Sequence, residues 1–153
     1  MNNRPGDYAG FVTRAIAFAI DVALIDLAAA FVAVVVGLGM SALELPDVVV
    51  KIAVAVGGVA FIVWSVGYFA MFWSTTGQTP GARVMGVRVV CATGGEPVTL
   101  RSAIVRLVGM LLAAIPLCAG FLLILIDDRR RGLQDRLART VVLYAPDDAT
   151  RLS

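Results

Sequence analysis

The chain has 153 residues, 59% of them hydrophobic and only 16% charged, with a formal net charge of +2. Soluble domains carry about a quarter charged residues, so this balance, gathered into three long apolar runs, excludes an ordinary soluble domain and predicts a polytopic membrane protein. The absence of histidine removes the commonest metal ligand and the usual neutral-pH acid–base.

The pass along the chain predicts two complete spans and a third, broken one. Met1 to Val12 is a short polar lead. The first apolar run covers 14–39, about 38 Å as a helix, enough to cross the hydrocarbon core with some tilt. It is too long for a cleaved signal peptide, is interrupted by Asp21, and is followed by further spans, so it is expected to be retained. Residues 40–51 form a turn with Glu44, Pro46 and Asp47. The second span covers 48–73, with Tyr68, Phe69, Phe72 and Trp73 gathered at its far end like an interfacial aromatic belt.

The polar loop 74–102 follows. A valine-rich strand is expected from Val84 to Cys91, then a turn at Thr93 to Glu96 and a return strand at Val98 to Leu100, making a small cytoplasmic β-hairpin. The third apolar run, 103–126, is broken by Pro116 and Gly120. The basic tail, 127–153, carries an arginine cluster and ends in a short strand-like stretch. The whole chain is expected to form a single, otherwise all-α membrane domain.

Arginine placement sets the expected topology. Arg4 and Arg14 flank the first span, and only Lys51 lies in the first loop. Arg83, Arg88 and Arg101 lie in the second loop, and Arg129, Arg130, Arg131, Arg136, Arg139 and Arg151 in the tail. The positive-inside rule puts the N-terminus, second loop and tail all in the cytoplasm. Three full spans would put the tail outside. Two half-length helices about the Pro116–Gly120 break would instead dip to near the midplane and return, with broken backbone shielded by protein or water. The alternative is three full spans with an external tail.

Charges inside the spans each cost at least about 2.5–3.5 kcal/mol on insertion scales, so they need partners or water. Arg14 and Asp21 share a helix face but lie roughly 10 Å apart along the axis, and Arg14 leans toward the N-terminus, away from Asp21. A cation from another segment, Arg106, is therefore the expected partner of Asp21. Asp26 falls near the midplane among small residues (Ala15, Ala19, Ala23, then Ala29, Ala33, Gly37) that permit close helix contact. Two readings stand: a satisfied network that fixes helix packing, or carboxylates that handle protons or cations. Trp64 and the other aromatics read as packing or belt residues. Cys91 and Cys118 fit neither a disulfide framework nor a zinc spacing and read as small apolar residues.

Three stretches in order carry a resemblance: "RAIAFAID" in the first span, "GQTPGARVMGVRVV" after the second, and "RRRGLQDRLARTVV" after the third. Together they resemble the RDD family of bacterial membrane proteins, from about Phe11 to Leu143. The resemblance assigns Arg14 as the family arginine, Asp21 as the first aspartate and Asp135 as the second. Gln78, Thr79, Pro80, Gly81, Gly86 and Thr140 fit the accompanying motif, while Ala82 stands where lysine is usual and Gln134 where histidine is usual. Asp26 is not a family position. The family implies an inner-membrane protein whose molecular role is mostly unassigned, with transport suggested and some members similar to sodium/proton antiporters.

From the residues themselves, Pro80 and Gly81 form a turn whose amides, with Arg83 and Arg88, could cap helix ends or meet lipid phosphate. The tail arginines read as orientation signals and headgroup contacts. Without histidine, a Gly-rich phosphate loop or a Gly-x-Ser-x-Gly elbow, the chain is expected to be no enzyme, with no cofactor, metal or nucleic-acid partner. Its expected partners are the lipid bilayer and either copies of itself, as a homo-oligomer, or a larger membrane complex. The two functional expectations are an accessory or assembly component of such a complex, and a small oligomeric cation/proton transporter using Arg14, Asp21 and Asp26.

Overall fold

The computed structural model describes residues 7–114, 124–125 and 127–145. Its elements in chain order are α1 (Phe11–Ala42), α2 (Asp47–Thr75), α3 (Pro80–Val84), β1 (Val87–Cys91), α4 (Leu100–Ala114), α5 (Leu133–Ala138) and β2 (Thr140–Tyr144). The chain divides into two compact units. One is drawn from Met1–Asp21 and Phe69–Ser153, the other is Val22–Tyr68.

α1 and α2 have 32 and 29 residues, about 48 and 44 Å at helical rise. Both are long and apolar enough to cross a membrane, and each extends the run expected from sequence by up to three residues at an end. Between them Glu44 takes a positive φ of 49° and Pro46 precedes α2, where its missing N–H costs nothing. Asp47 then complements the positive end of the helix. Side chains such as Leu27, Phe31 and Val54 are about 70% exposed. In water such surface would be a liability; lipid supplies the missing neighbours.

The first unit is knitted from distant segments. β1 and β2 pair antiparallel, with Val87 opposite Tyr144 and Cys91 opposite Thr140. The polar lead joins the other side of β2: Ala9 N–H donates to Val142 O and Tyr144 N–H to Asp7 O, both at 2.9 Å. This corrects the expected hairpin. Strand β1 is present, but residues 98–100 do not return along it. Thr99 is committed to the start of α4, where its hydroxyl accepts from Ser102 N–H, and Pro97 has no N–H to offer a ladder. The tail supplies the partner strand instead.

α4 buries one face, through Ala103, Arg106, Gly109 and Ala113, against α5. A methyl group at Gly109 would meet Gln134 Cα at 2.7 Å, so only glycine allows this approach. The Pro116–Gly120 break expected in the third apolar run lies outside the described residues. Phe69 and Trp73, expected in an interfacial belt, are 7% and 5% exposed. Phe69 stacks on Phe18 with centroids 5.6 Å apart and meets Trp73 at 5.3 Å, so these two rings pack the protein interior.

Candidate functional site

The charged residues converge in the first unit, and each is placed by a local device. Gly132 caps α5, and Asp135, three residues into that helix, reaches back to accept from Gly132 N–H at 3.0 Å. This is the carboxylate half of a capping box. The same carboxylate is 0% exposed. It accepts from Arg14 Nη1 at 2.5 Å on one oxygen and from Arg106 Nη1 on the other. Arg14, in the first turn of α1, also donates from Nε to Ala9 O at 3.1 Å. Arg106 donates to the Thr140 hydroxyl at 3.0 Å, and its guanidinium lies 4.9 Å from the Trp73 ring centroid, a favourable cation–π distance.

The cluster therefore ties the start of α1, the end of α2, α4, α5 and β2 together. Burial pushes the Asp135 carboxyl up, but Arg106, Arg14 and the Gly132 amide outweigh it and hold the group below its ordinary value. Two cations face one anion, and Arg14 Nη2, Arg106 Nε and Gln134 Oε1 have no hydrogen-bond partner among the described residues. Gln134 is itself 3% exposed.

Asp21 serves a different junction. Its Oδ2 accepts from the Thr79 hydroxyl and its Oδ1 from Gly81 N–H at 2.8 Å. Thr79 in turn accepts from Ala82 N–H at 3.2 Å, capping α3 behind Pro80. The loop fits because residue 81 is glycine: a methyl group there would collide with Ala17 O and the Asp21 carboxyl. Arg106 was expected to meet Asp21, and its ion pair is with Asp135 instead. Asp21 receives hydroxyl and amide hydrogens. Reasoning from depth on the first span alone missed Asp135 as the anion, because a tail residue brings no hydropathy signal to the membrane.

The remaining motif positions divide by task. Gln78 donates from Nε2 to Val87 O at 3.0 Å, and Gly86 has the positive φ of 62° that its turn into β1 needs. Arg88 donates to Thr76 O at 3.1 Å; Arg83 is exposed. In the tail, Asp127 accepts from Arg131 and Arg136. The Arg131 hydrogen bond leads in holding this carboxyl well below its ordinary range, and the pair raises Arg131 in return. Asp26 belongs to the second unit and is exposed. Among the described residues no group of three or more carboxylates or cysteines could hold a metal ion.

A small membrane domain, built on two apolar helices and holding an arginine and two aspartates at buried junctions between segments, is the class this arrangement defines. The chain belongs to the RDD family, which matches residues 8–139. It is similar to a "Proline-rich antigen homolog" of Mycobacterium tuberculosis, 36% identical over 87 residues, covering 57% of this chain and 35% of that protein. A "Proline-rich antigen" of Mycobacterium leprae is 33% identical over 84 residues, covering 55% and 32%. The chain thus matches about a third of the length of these relatives. No solved structure matches it.

Proposed function

We propose that this protein is an accessory or assembly component of a larger inner-membrane complex, and that its arginine–carboxylate cluster is a fastener rather than an ion path. The observation that carries this is Asp135. A carboxylate with no exposed surface, bridged by two guanidiniums and held below its ordinary pKa, is poorly placed to exchange a proton near neutral pH. Asp21 is likewise spent on Thr79 and Gly81. The lead, the 74–102 loop and the 127–153 tail face the cytoplasm in this reading, following the arginine count. In the same reading the two ends of the third apolar run lie on one side of the membrane, which is supported by the pairing of β2 after it with β1 before it and of Asp135 with Arg106.

The second reading, a small oligomeric cation/proton transporter, keeps one supporting observation: Asp26 is an exposed carboxylate in the middle of α1. Purification in mild detergent separates the two. A stoichiometric foreign membrane protein co-purifying with the chain, and no cation-dependent proton movement in proteoliposomes, is the expected result. A ring of identical chains that moves protons would refute the accessory reading.

A further inference from the structure

Asp26 is residue 16 of the 32 in α1, the middle of a span, where a carboxylate facing lipid is most costly. It is exposed. Ala23, Ala30, Ala33 and Gly37 lie within about 60° of it around the helix, and a methyl group at Gly37 would meet nothing within 4 Å. Immediately beyond Asp26 begins a cleft of about 1060 Å³ between α1 and α2. It follows α1 from Ala28 to Met40, about 18 Å or three turns. Its walls are small where helices would meet, with Ala29, Ala33 and Gly37 on one side and Ala53, Gly57 and Ala60 on the other. Such surfaces let a further helix approach to backbone contact.

The charge says what that helix must carry. Among the described residues the cations of the apolar helices are Arg14 and Arg106, both bound to Asp135, Lys51 four residues into α2, and Arg101 at the start of α4. None lies at mid-span, so a second copy of this chain offers Asp26 no counter-ion at its depth. We infer that this face docks a transmembrane helix of a different protein, one bearing an arginine or lysine near its middle. The helix fills the α1–α2 cleft with its apolar side and sets its cation against Asp26. This rests on the accessory reading and gives it a specificity rule: the partner is selected by one buried charge pair in lipid.

The test uses the full chain, labelled with a donor at its amino terminus, in vesicles of phosphatidylethanolamine and phosphatidylglycerol. Acceptor-labelled poly-leucine transmembrane peptides carry a central arginine, leucine or glutamate. Energy transfer should be several-fold greater to the arginine peptide than to the leucine peptide. Asp26→Leu should abolish the difference, and Asp26→Lys should move the preference to the glutamate peptide. The swap guards against loss through misfolding, because it demands a gain. Equal transfer to all three peptides would overturn the inference and leave the cleft to lipid chains. Transfer between two labelled copies that depends on Asp26 and is not displaced by the arginine peptide would also overturn it, in favour of self-association. Failure here leaves the accessory reading standing wherever a native partner co-purifies. Success with no native partner leaves the docking rule and removes that reading.

Discussion

Replacing Asp135 with asparagine removes the anion while keeping the side-chain shape. In the native protein the carboxylate accepts three hydrogen bonds, from Arg14, Arg106 and the Gly132 amide. Hydrogen bonds to charged groups contribute about 1.5–3 kcal/mol each, and stranding one partner of a buried ion pair costs about 3–5 kcal/mol. The amide still accepts one bond, and Arg106 keeps Thr140 and Trp73. These offsets place the loss at about 4 kcal/mol. At about 2–4 °C per kcal/mol for a chain of this size, the thermal midpoint in detergent should fall by about 8–16 °C. Two guanidiniums left without their anion should also loosen α5, raising protease cleavage after Arg136 and Arg139. A midpoint within about 2 °C of wild type would refute the claim that Asp135 fastens the fold.

Three further outcomes follow from the same geometry. Arg106→Gln and Asp135→Asn combined should cost less than the sum of the two alone, with a coupling of about 1–3 kcal/mol in a thermal-denaturation cycle; strict additivity would break the pair. Because the folded-state pKa of Asp135 lies below its ordinary 3.8, its contribution is complete above that unfolded value and is lost as pH falls beneath it. The melting temperature should therefore be flat through the mildly acidic range and drop in stronger acid, with a shallower drop in Asp135→Asn. Gly81→Ala should destabilise by about 1–3 kcal/mol through overpacking against Ala17 O and Asp21, measured by the same melts, whereas Gly86→Ala has open space and pays only for its positive φ.

The two spans were legible because twenty or more consecutive apolar residues have few alternatives to a membrane helix. The observed helices, Phe11–Ala42 and Asp47–Thr75, run one to three residues past the apolar runs at each end, because backbone helix can continue where the hydropathy signal stops. The pairing of β1 was not legible. Val98 to Leu100 lay close by with a turn between, while the true partner, Thr140 to Tyr144, is some fifty residues away, and nothing in either strand names the other. The strand-like character of that tail was the only signal. Asp135 entered through the family motif, and Asp21 and Arg106 were recognised as needing partners. The Arg106–Asp135 pair was not legible because one-dimensional depth ignores a tail that folds back. Asp26, expected on a small-residue face, is exposed.

The fastener reading requires the 74–102 loop and the tail to meet on one side of the membrane. Cys91 and Thr140 are opposite each other in the β1–β2 ladder. The Cys91 N–H turns away from β2 to Glu96 O, which makes them a non-hydrogen-bonded pair with Cα atoms about 4.5 Å apart, within disulfide reach. The decisive measurement is oxidative cross-linking of Thr140→Cys with native Cys91 in membranes, on a Cys118→Ser background, with Thr140→Cys/Cys91→Ser as control. Rapid, intramolecular disulfide formation is the predicted result. Three full spans would leave the two positions on opposite faces, about 30 Å of hydrocarbon apart, and the absence of any cross-link in a protein that still inserts and folds would contradict the account.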